Sequence, residues 1–193
     1  MEALWFFVII AICIAVFIAW QLPFGIGRSG ERYVSRQLRR LDPARYKLLN
    51  DVMLPSRGNS AATQIDHIVV SNHGIFCIET KGYKGWIFGD AYQEQWKQVI
   101  FHYKGGIYNP LWQNFAHTKA IEELLDRQRL KKLIVSLVVF PNADMLKISG
   151  TDSVGYASDI VGKIESYIEP VLSDAERDEV RIPANLNTHS GPR

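Results

Sequence analysis

Three charged side chains, Asp66, Glu79 and Lys81, lie within two apolar segments of the chain and could act together chemically. The segments, 64–70 and 75–81, are separated by a short polar stretch that ends in glycine, a pattern that predicts a β-hairpin. Because side chains alternate along a strand, the acid and the lysine of the second segment point to the same face. Burying such charges is costly, but a hard divalent cation shared by two carboxylates compensates them and also binds phosphate. The pattern therefore indicates metal-dependent cleavage of phosphodiester bonds.

Cleavage of a phosphodiester bond requires neutralised phosphoryl oxygens, an activated water and a stabilised leaving oxygen. We expect Asp66 and Glu79 to hold one Mg²⁺, or Mn²⁺ in its place, with the carbonyl of Thr80 as a further ligand. Magnesium keeps several of its waters, so one of them can attack the phosphorus. Lys81, beside that water, would lower the pKa of the water or stabilise the pentacovalent phosphate, because lysine carries a compact charge.

Four more polar residues are candidates for the same site or its surroundings. Glu31, early in the first predicted helix, could reach the metal through water, and Gln113, in the first turn of a later helix, could hydrogen-bond substrate or Lys81. His67 follows the first acid but points to the opposite face of its strand, which favours a packing or hydrogen-bonding role. His117 shares a helix face with Gln113, yet a structural or solvated role fits it better than substrate contact.

A structural alternative stays open at this point, because an acid and a lysine two residues apart occur by chance in many chains. In that alternative Glu79 and Lys81 form a surface ion pair, and Asp66 lies on an exposed face. The two interpretations differ in a mutational expectation. If two carboxylates face each other, Glu79→Leu leaves the domain folded and raises its melting temperature, because repulsion is relieved in metal-free protein.

The N-terminal segment predicts a membrane anchor. Residues 3–20 contain no charged or strongly polar side chain, and extending the segment to Phe24 reaches the length needed to cross a bilayer. Trp5 and Trp20 stand near its two ends, where amphipathic rings favour the headgroup region. A cleaved secretory signal fits less well, because no basic residue opens the chain and no small-x-small cleavage site follows.

Basic residues lie only on the C-terminal side of this segment, which predicts the orientation of the anchor. They are Arg28, Arg32, Arg36, Arg39 and Arg40. Basic flanks stay in the cytoplasm, so we expect the N-terminus outside and the domain in the cytoplasm, with the arginines resting on anionic headgroups. Cys13 and Cys77 cannot build a disulfide framework and are interpreted as reduced apolar fillers. Net charge is only +2, so any nucleic-acid binding depends on local charge.

The apolar patterns and turn signals along the rest of the chain predict an α/β fold with a central mixed sheet flanked by helices. The predicted elements are a flexible stretch at 25–30, a helix at 30–41, strands at 46–54, 64–70, 75–81, 86–88, 96–103 and 133–140, helices that begin at 110 and 158, and a short last helix after a capping box at Ser173. Three tryptophans, Trp86, Trp96 and Trp112, are assigned to the core rather than to base stacking. A basic run at 127–132 either tracks phosphates or is a solvated helix end.

Several of these motifs, taken in order, resemble the nuclease-related domain family, often called NERD. The resemblance is carried by Gly30-Glu31, the 64–70 segment with Asp66, Gly74-Ile75-Phe76, Glu79-Thr80-Lys81, Trp86 to Gly89, Trp96, and Asn109-Pro110 with Gln113. It implies membership of the PD-(D/E)xK nuclease superfamily, a restriction-endonuclease-like core and Mg²⁺-dependent cleavage of DNA. The matching site positions are Glu31, Asp66, Glu79, Lys81 and Gln113. Ile65, rather than proline, precedes the first acid here.

Together these observations predict an anchor at 1–24, a nuclease-like domain at 25–182 and a flexible tail at 183–193. The leading hypothesis is a single-pass membrane protein whose cytoplasmic domain is an endo- or exodeoxyribonuclease dependent on Mg²⁺. RNA is the alternative substrate. A second hypothesis is a catalytically silent module that binds nucleic acid or a protein partner at the membrane, and a third is a membrane-associated scaffold.

Overall fold

The computed structural model describes residues 24–55, 62–125, 133–180 and 182. Four helices and nine strands are present in these ranges. They are α1 (Phe24–Leu38), β1 (Tyr46–Pro55), β2 (Ala62–Ser71), β3 (Gly74–Thr80), β4 (Gly85–Asp90), β5 (Gln95–Ile100), β6 (Tyr103–Tyr108), α2 (Pro110–Leu124), β7 (Ile134–Phe140), β8 (Ala143–Ser149), β9 (Val154–Tyr156), α3 (Ile160–Glu165) and α4 (Asp174–Glu179).

The main sheet has five strands in the order β1-β2-β3-β7-β9. Strands β1 to β3 form an antiparallel meander, whereas β7 runs parallel to both β3 and β9. The predicted hairpin is confirmed: β2 and β3 pair around a two-residue turn, with Ser71 opposite Gly74. Every residue of β3 is buried, as expected for a strand in the middle of a sheet with both faces covered.

Helices cover both faces of the main sheet, so the predicted mixed α/β class is confirmed. On one face, Val34 and Leu38 of α1 and Ile160 and Ile164 of α3 pack against β2, β3 and β7. On the other face, Ile121 of α2 packs against the same strands, together with the segment that follows α3. The capping box at the start of α4 is also present as predicted.

A second sheet, which the sequence did not predict, contains four strands in the order β6-β5-β4-β8. The strand predicted at 96–103 turns back at Phe101, whose φ is +48°, and becomes the β5–β6 hairpin. Strands β8 and β9 were missed because their residues are only partly buried and lack a continuous apolar run. Trp96, Ile107 and Ile87 pack this sheet against Phe140 of β7. The prediction of one central sheet is therefore corrected to two mixed sheets.

Helix α1 begins earlier than predicted and contains the stretch at 25–30 that was expected to be flexible. Ser29 therefore lies inside the helix rather than at its N-cap. Gly30 is tolerated there for a tertiary reason: a Cβ at this position would lie 2.9 Å from Cγ of Pro141 and 3.6 Å from Cγ2 of Thr80. Close helix–strand packing thus offsets the poor helix propensity of glycine.

The tryptophans divide into one core residue and two exposed residues. Trp96 is buried, as predicted. The assignment of the other two to the core is wrong, because Trp86 is 49% exposed and Trp112 is 40% exposed. Strand alternation explains Trp86, which points away from Ile87 and therefore away from the core of the second sheet.

Some sequence predictions concern residues that the structure does not describe. These are the anchor at 3–23, Cys13, the basic run at 127–132 and the tail at 183–193. Within the described ranges, no helix is both long and apolar enough to span a bilayer. Cys77, in contrast, is described as a buried free thiol, as predicted.

Candidate active site

The candidate site lies where β2 and β3 stop pairing. The last paired residues are His67 and Ile78, so the next pair in register would join Asp66 to Glu79. Instead, the Oδ2 atom of Asp66 accepts a hydrogen bond of 2.8 Å from the backbone amide of Thr80. The carboxylate of Asp66 thus takes the place of a backbone carbonyl of β2 as the hydrogen-bond partner of Thr80. The two acids therefore lie on neighbouring strands at the open end of the hairpin.

Glu79 is the centre of the hydrogen-bond network. Its Oε1 atom lies 2.7 Å from Nζ of Lys81 and accepts a 2.8 Å hydrogen bond from Nε2 of Gln113. Lys81 in turn donates a 2.7 Å hydrogen bond to Oε1 of Gln113, which closes a ring of three side chains. On the other side, Nε2 of His117 lies 3.3 Å from Oε2 of Glu79. Because Glu79 is only 3% exposed, this is not the surface ion pair of the structural alternative.

Helix α2 brings Gln113 and His117 to the site because Asn114 fixes the helix to the sheet. The side-chain amide of Asn114 donates to the carbonyls of Cys77 and Leu137, both at 3.0 Å, and thereby joins α2 to β3 and β7. Asn114 is fully buried. Gln113 directly precedes Asn114, and His117 lies one turn after Gln113, so both side chains face Glu79.

The start of α2 is held by Asn109. Its side-chain oxygen accepts a hydrogen bond of 2.9 Å from the amide of Leu111, an N-cap arrangement. Its side-chain nitrogen donates to the carbonyls of Ala91 and Gln93, at 3.1 Å and 2.7 Å, in the turn between β4 and β5. This residue therefore links the second sheet to the helix that carries two site residues.

His117 lies next to Glu79, and its surroundings fit the structural role that the sequence predicts rather than the solvated one. It is buried rather than solvated, and its Nδ1 atom lies 2.8 Å from Oγ1 of Thr63. If the hydroxyl of Thr63 donates to Nδ1, the N–H of the imidazole is on Nε2, which faces Glu79. The available signal was the spacing of four residues from Gln113. Spacing alone did not favour substrate contact, because a single histidine on a helix usually has a structural role.

The two acids of the hairpin have opposite pKa shifts. Burial and then the charge of Glu79 raise the pKa of Asp66 to about 7, against the lowering effect of its hydrogen bond from Thr80. Burial also acts to raise the pKa of Glu79, but the hydrogen bond from His117 and the ammonium of Lys81 outweigh it. The pKa of Glu79 therefore lies below its ordinary value, and the pair resembles the acid pairs whose environments separate their roles.

Asp51 lies near the site and was not singled out by the sequence analysis. It lies between the β1–β2 pairs at Asn50 and at Val52, has a φ of +54° and accepts a 2.6 Å hydrogen bond from Gln64. The only local signal was a polar Asn-Asp pair inside an apolar strand, since these residue types tolerate this conformation. Burial, followed by the charges of Asp51 and Glu79, raises the pKa of Glu31.

Some of the predicted site residues contact one another directly, and others lie close by. Glu79, Lys81 and Gln113 are in direct contact. Asp66 contacts the backbone beside them, and Glu31 is close enough for its charge to raise the pKa of Asp66. The functional roles of these residues, including metal binding by the carbonyl of Thr80, stay predictions.

Asp66 and Glu79 are the side chains that would hold a metal ion here. No cluster of three or more histidine, cysteine, aspartate or glutamate side chains arranged to bind a metal occurs in the ranges described. Magnesium is commonly bound by one or two carboxylates and completed by water and substrate phosphates. Burial and then the charge of Glu79 raise the pKa of Asp66, and a cation bound by both carboxylates would offset these two effects.

Comparison with known proteins identifies the family of this chain. The model of the nuclease-related domain matches residues 26–141, which run from the first turn of α1 to the end of β7. The chain belongs to the nuclease-related domain family. An uncharacterized protein of Bacillus anthracis is 37% identical over 159 residues, covering 80% of this chain and 73% of the relative. No solved structure gives a significant match.

In this nuclease-related domain, the matched region contains all the residues of the candidate site. It excludes β8, which completes the second sheet, and β9, which completes the first. The family match therefore includes the hairpin and α2, whereas one edge strand of each sheet lies outside the matched region.

Proposed function

We propose that this chain is a metal-dependent nuclease that hydrolyses phosphodiester bonds of DNA, with a restriction-endonuclease-like core of the PD-(D/E)xK type. The observation that carries the proposal is the position of Asp66 and Glu79 on neighbouring strands where those strands separate, with Lys81 bound to Glu79. Family membership supports a nuclease-related function independently.

Asp66, Glu79 and the carbonyl of Thr80 would hold the metal. When bound, Mg²⁺ or Mn²⁺ supplies charge neutralisation at the phosphate and lowers the pKa of a bound water. Asp66, whose pKa is about 7 in metal-free protein, would have to lose its proton to bind the metal, so metal affinity should increase with pH in this range. Glu79 keeps its negative charge in the same range, because Lys81 and His117 stabilise it.

Lys81 is suited to contact the phosphate directly. A lysine ammonium has three donors, and two of them point to Glu79 and Gln113. The third is left to donate to a phosphoryl oxygen, and the side chain is 19% exposed, so a substrate can reach it. Gln113 holds the ammonium against Glu79, which fixes the direction of that third donor.

A second candidate function is a catalytically silent module that binds nucleic acid or a protein partner. One observation favours it: Oε1 of Glu79 already contacts Lys81 and Gln113, and Nε2 of His117 lies 3.3 Å from Oε2. A metal would have to share or displace these hydrogen bonds. If it does not, the network only stabilises the fold.

We further propose that the domain is tethered to a membrane by residues 3–24 and lies in the cytoplasm. The five arginines at 28–40 support the orientation, because all of them are exposed on or directly after α1. Exposed arginines close to the end of an anchor can contact anionic headgroups.

The nuclease proposal is tested with the full chain in mild detergent, incubated with supercoiled and linear DNA in Mg²⁺, Mn²⁺ or EDTA. We expect nicking in either metal and none in EDTA. Asp66→Ala and Lys81→Ala should each lower the rate by about 100-fold or more, the size of effect seen when a transition-state contact is removed. Lys163→Ala is the matched control, because Lys163 pairs with the exposed Asp152. DNA binding without cleavage in either metal would instead support the silent module.

A further inference from the structure

The outer face of the second sheet carries basic and aromatic side chains in one row. Cross-strand pairing places Lys147 of β8 beside Phe88 of β4, and Phe88 beside Lys97 of β5. Gly106 of β6 continues the row without a side chain. Because paired residues share a face, the ring of Phe88 lies between two lysines on the side opposite the buried Trp96.

A second aromatic and a third basic side chain lie on the same face of the sheet. Trp86, two residues before Phe88 on β4, shares its face, and the two rings meet edge to face at 6.4 Å. Lys104 of β6 lies opposite Val99 in the row that contains Trp86. Phe88 and the three lysines, Lys97, Lys104 and Lys147, border a concavity of about 880 Å³ over the sheet.

The positive charge of this face is not neutralised by the described protein. Among the described residues, Lys97, Lys104 and Lys147 form no ion pair, and all three are exposed. Nζ of Lys147 lies 5.9 Å from the ring centroid of Phe88, a cation–π contact. The acid at the end of the concavity, Asp90, accepts a 2.6 Å hydrogen bond from Ser149 and stays charged, but it forms no ion pair with any of these lysines.

We infer that this face binds single-stranded nucleic acid. Unpaired bases can stack on Phe88 and Trp86, and the flanking lysines can contact the phosphates, which is how strands are held without sequence preference. A duplex hides the faces of its bases, so the aromatic contacts favour a single strand. The inference rests on the proposed nuclease function for the class of ligand, but it assigns binding to residues that take no part in hydrolysis.

An aromatic contact connects this face to α2, the helix that carries Gln113 of the candidate site. Tyr108, at the end of β6, meets Trp112 of α2 with ring centroids 6.2 Å apart. The indole nitrogen of Trp112 donates to the carbonyl of Ala91, and the next residue is Gln113 of the site. A strand held on the sheet can therefore extend toward Lys81 past the first turn of α2.

The test measures binding of a fluorescein-labelled oligothymidylate by the full chain in mild detergent, by fluorescence anisotropy in EDTA. We expect Phe88→Ala to weaken binding at least about fivefold, the lower end of the effect of losing one base stack, and Phe88→Tyr to restore it. The double variant Lys97→Gln/Lys147→Gln should lower the slope of log Kd against log salt by about 1.4, because each contact to a single strand contributes about 0.7. The control Lys47→Gln/Lys163→Gln loses the same charge elsewhere and should leave this slope unchanged.

Two outcomes would overturn the inference. One is unchanged affinity in both Phe88→Ala and the lysine double variant, with melting temperatures that show folded protein. The other is a change in molar mass by light scattering in Phe88→Ala without a change in affinity, which would make the face an interface between copies. Since binding is measured in EDTA, failure of the nuclease proposal does not affect the result. Nicking by a protein whose affinity is insensitive to Phe88 would reject this inference alone.

Discussion

At the scale of single residues, the site holds two carboxylates whose surroundings give them different charges at neutral pH. Glu79 is buried yet ionised, because an ammonium and an imidazole contact its two oxygens. Burial of Asp66 and then the charge of Glu79 raise its pKa to about 7, because the one hydrogen bond from the amide of Thr80 does not offset them. This asymmetry leads to opposite mutational expectations for the two acids.

Asp66→Asn should stabilise metal-free protein, and the gain should increase with pH. The folded-state pKa of Asp66 lies above its unfolded value, so its contribution to stability is complete below about pH 4 and is lost as the pH rises through about 7. Asparagine keeps an acceptor for the amide of Thr80 and removes the charge. We expect the melting temperature of the variant in EDTA to exceed that of wild type progressively from about pH 5 to about pH 8.

Wild type is the necessary reference in this experiment because His67 titrates in an overlapping range. Burial lowers the pKa of His67 to about 4, so its contribution is complete above its unfolded pKa and is lost as the pH falls toward 4. The difference between the two proteins cancels this effect. A difference that does not vary with pH would show that Asp66 has an ordinary pKa.

Glu79→Gln should have the opposite effect and destabilise the protein. The variant leaves the ammonium of Lys81 without its anionic partner in a largely buried position. Loss of a hydrogen-bonded charge in such a place costs about 2–3 kcal/mol. Urea unfolding at neutral pH measures it, and a variant as stable as wild type would contradict the expected role of the network.

The structure therefore changes the expectation that the sequence alone gave for Glu79→Leu. Repulsion between facing carboxylates predicted a higher melting temperature for that variant. The contacts of Glu79 with Lys81, Gln113 and His117 now outweigh the repulsion, and we expect a lower one. Removing the repulsion between the two carboxylates is expected to stabilise the protein only when Asp66, rather than Glu79, is replaced.

At the scale of elements, α1 shows how packing decides what a helix tolerates. The sequence indicates a break at 25–30 because glycine is a poor helix former. The structure continues the helix through this stretch and presses Gly30 against Pro141, so that the absence of a side chain permits the contact. Propensity is a local property, whereas this contact joins residues more than one hundred positions apart in sequence.

Alanine substitution of two helical glycines should therefore give opposite results. At Gly30 the new Cβ would clash with Pro141, and we expect a net loss of about 1–2 kcal/mol, because overpacking exceeds the gain in propensity. At Gly162 of α3 no atom lies within 4 Å of the new Cβ, so Gly162→Ala should stabilise the protein by about 0.5–1 kcal/mol. Thermal unfolding of both variants measures the difference, and equal effects would show that packing against Pro141 does not select Gly30.

At the scale of the whole molecule, the hypotheses of anchoring and catalysis depend on different parts of the chain. The anchor is proposed for residues 3–24, whereas the site lies between β2, β3 and α2. Arginines exposed on α1 stand between these two parts. Their position predicts that the domain stays on the cytoplasmic side of the membrane.

A reporter fusion tests this orientation. Alkaline phosphatase fused after Arg193 should be inactive, because its disulfides do not form in a reducing compartment. A fluorescent protein at the same position should fluoresce there and serves as the positive control. Strong phosphatase activity would place the C-terminus outside and reverse the proposed topology.

The sequence by itself determined the hairpin, the shared face of Glu79 and Lys81, and the helix that starts after Asn109. These features depend on alternation, apolar runs and capping, all of which act over a few residues. Only the tertiary structure decided which distant side chains contact Glu79, because Gln113 and His117 lie on α2, far from β3 in the sequence. It also decided which face of the second sheet is exposed, since strand order and register depend on contacts between residues far apart in the chain.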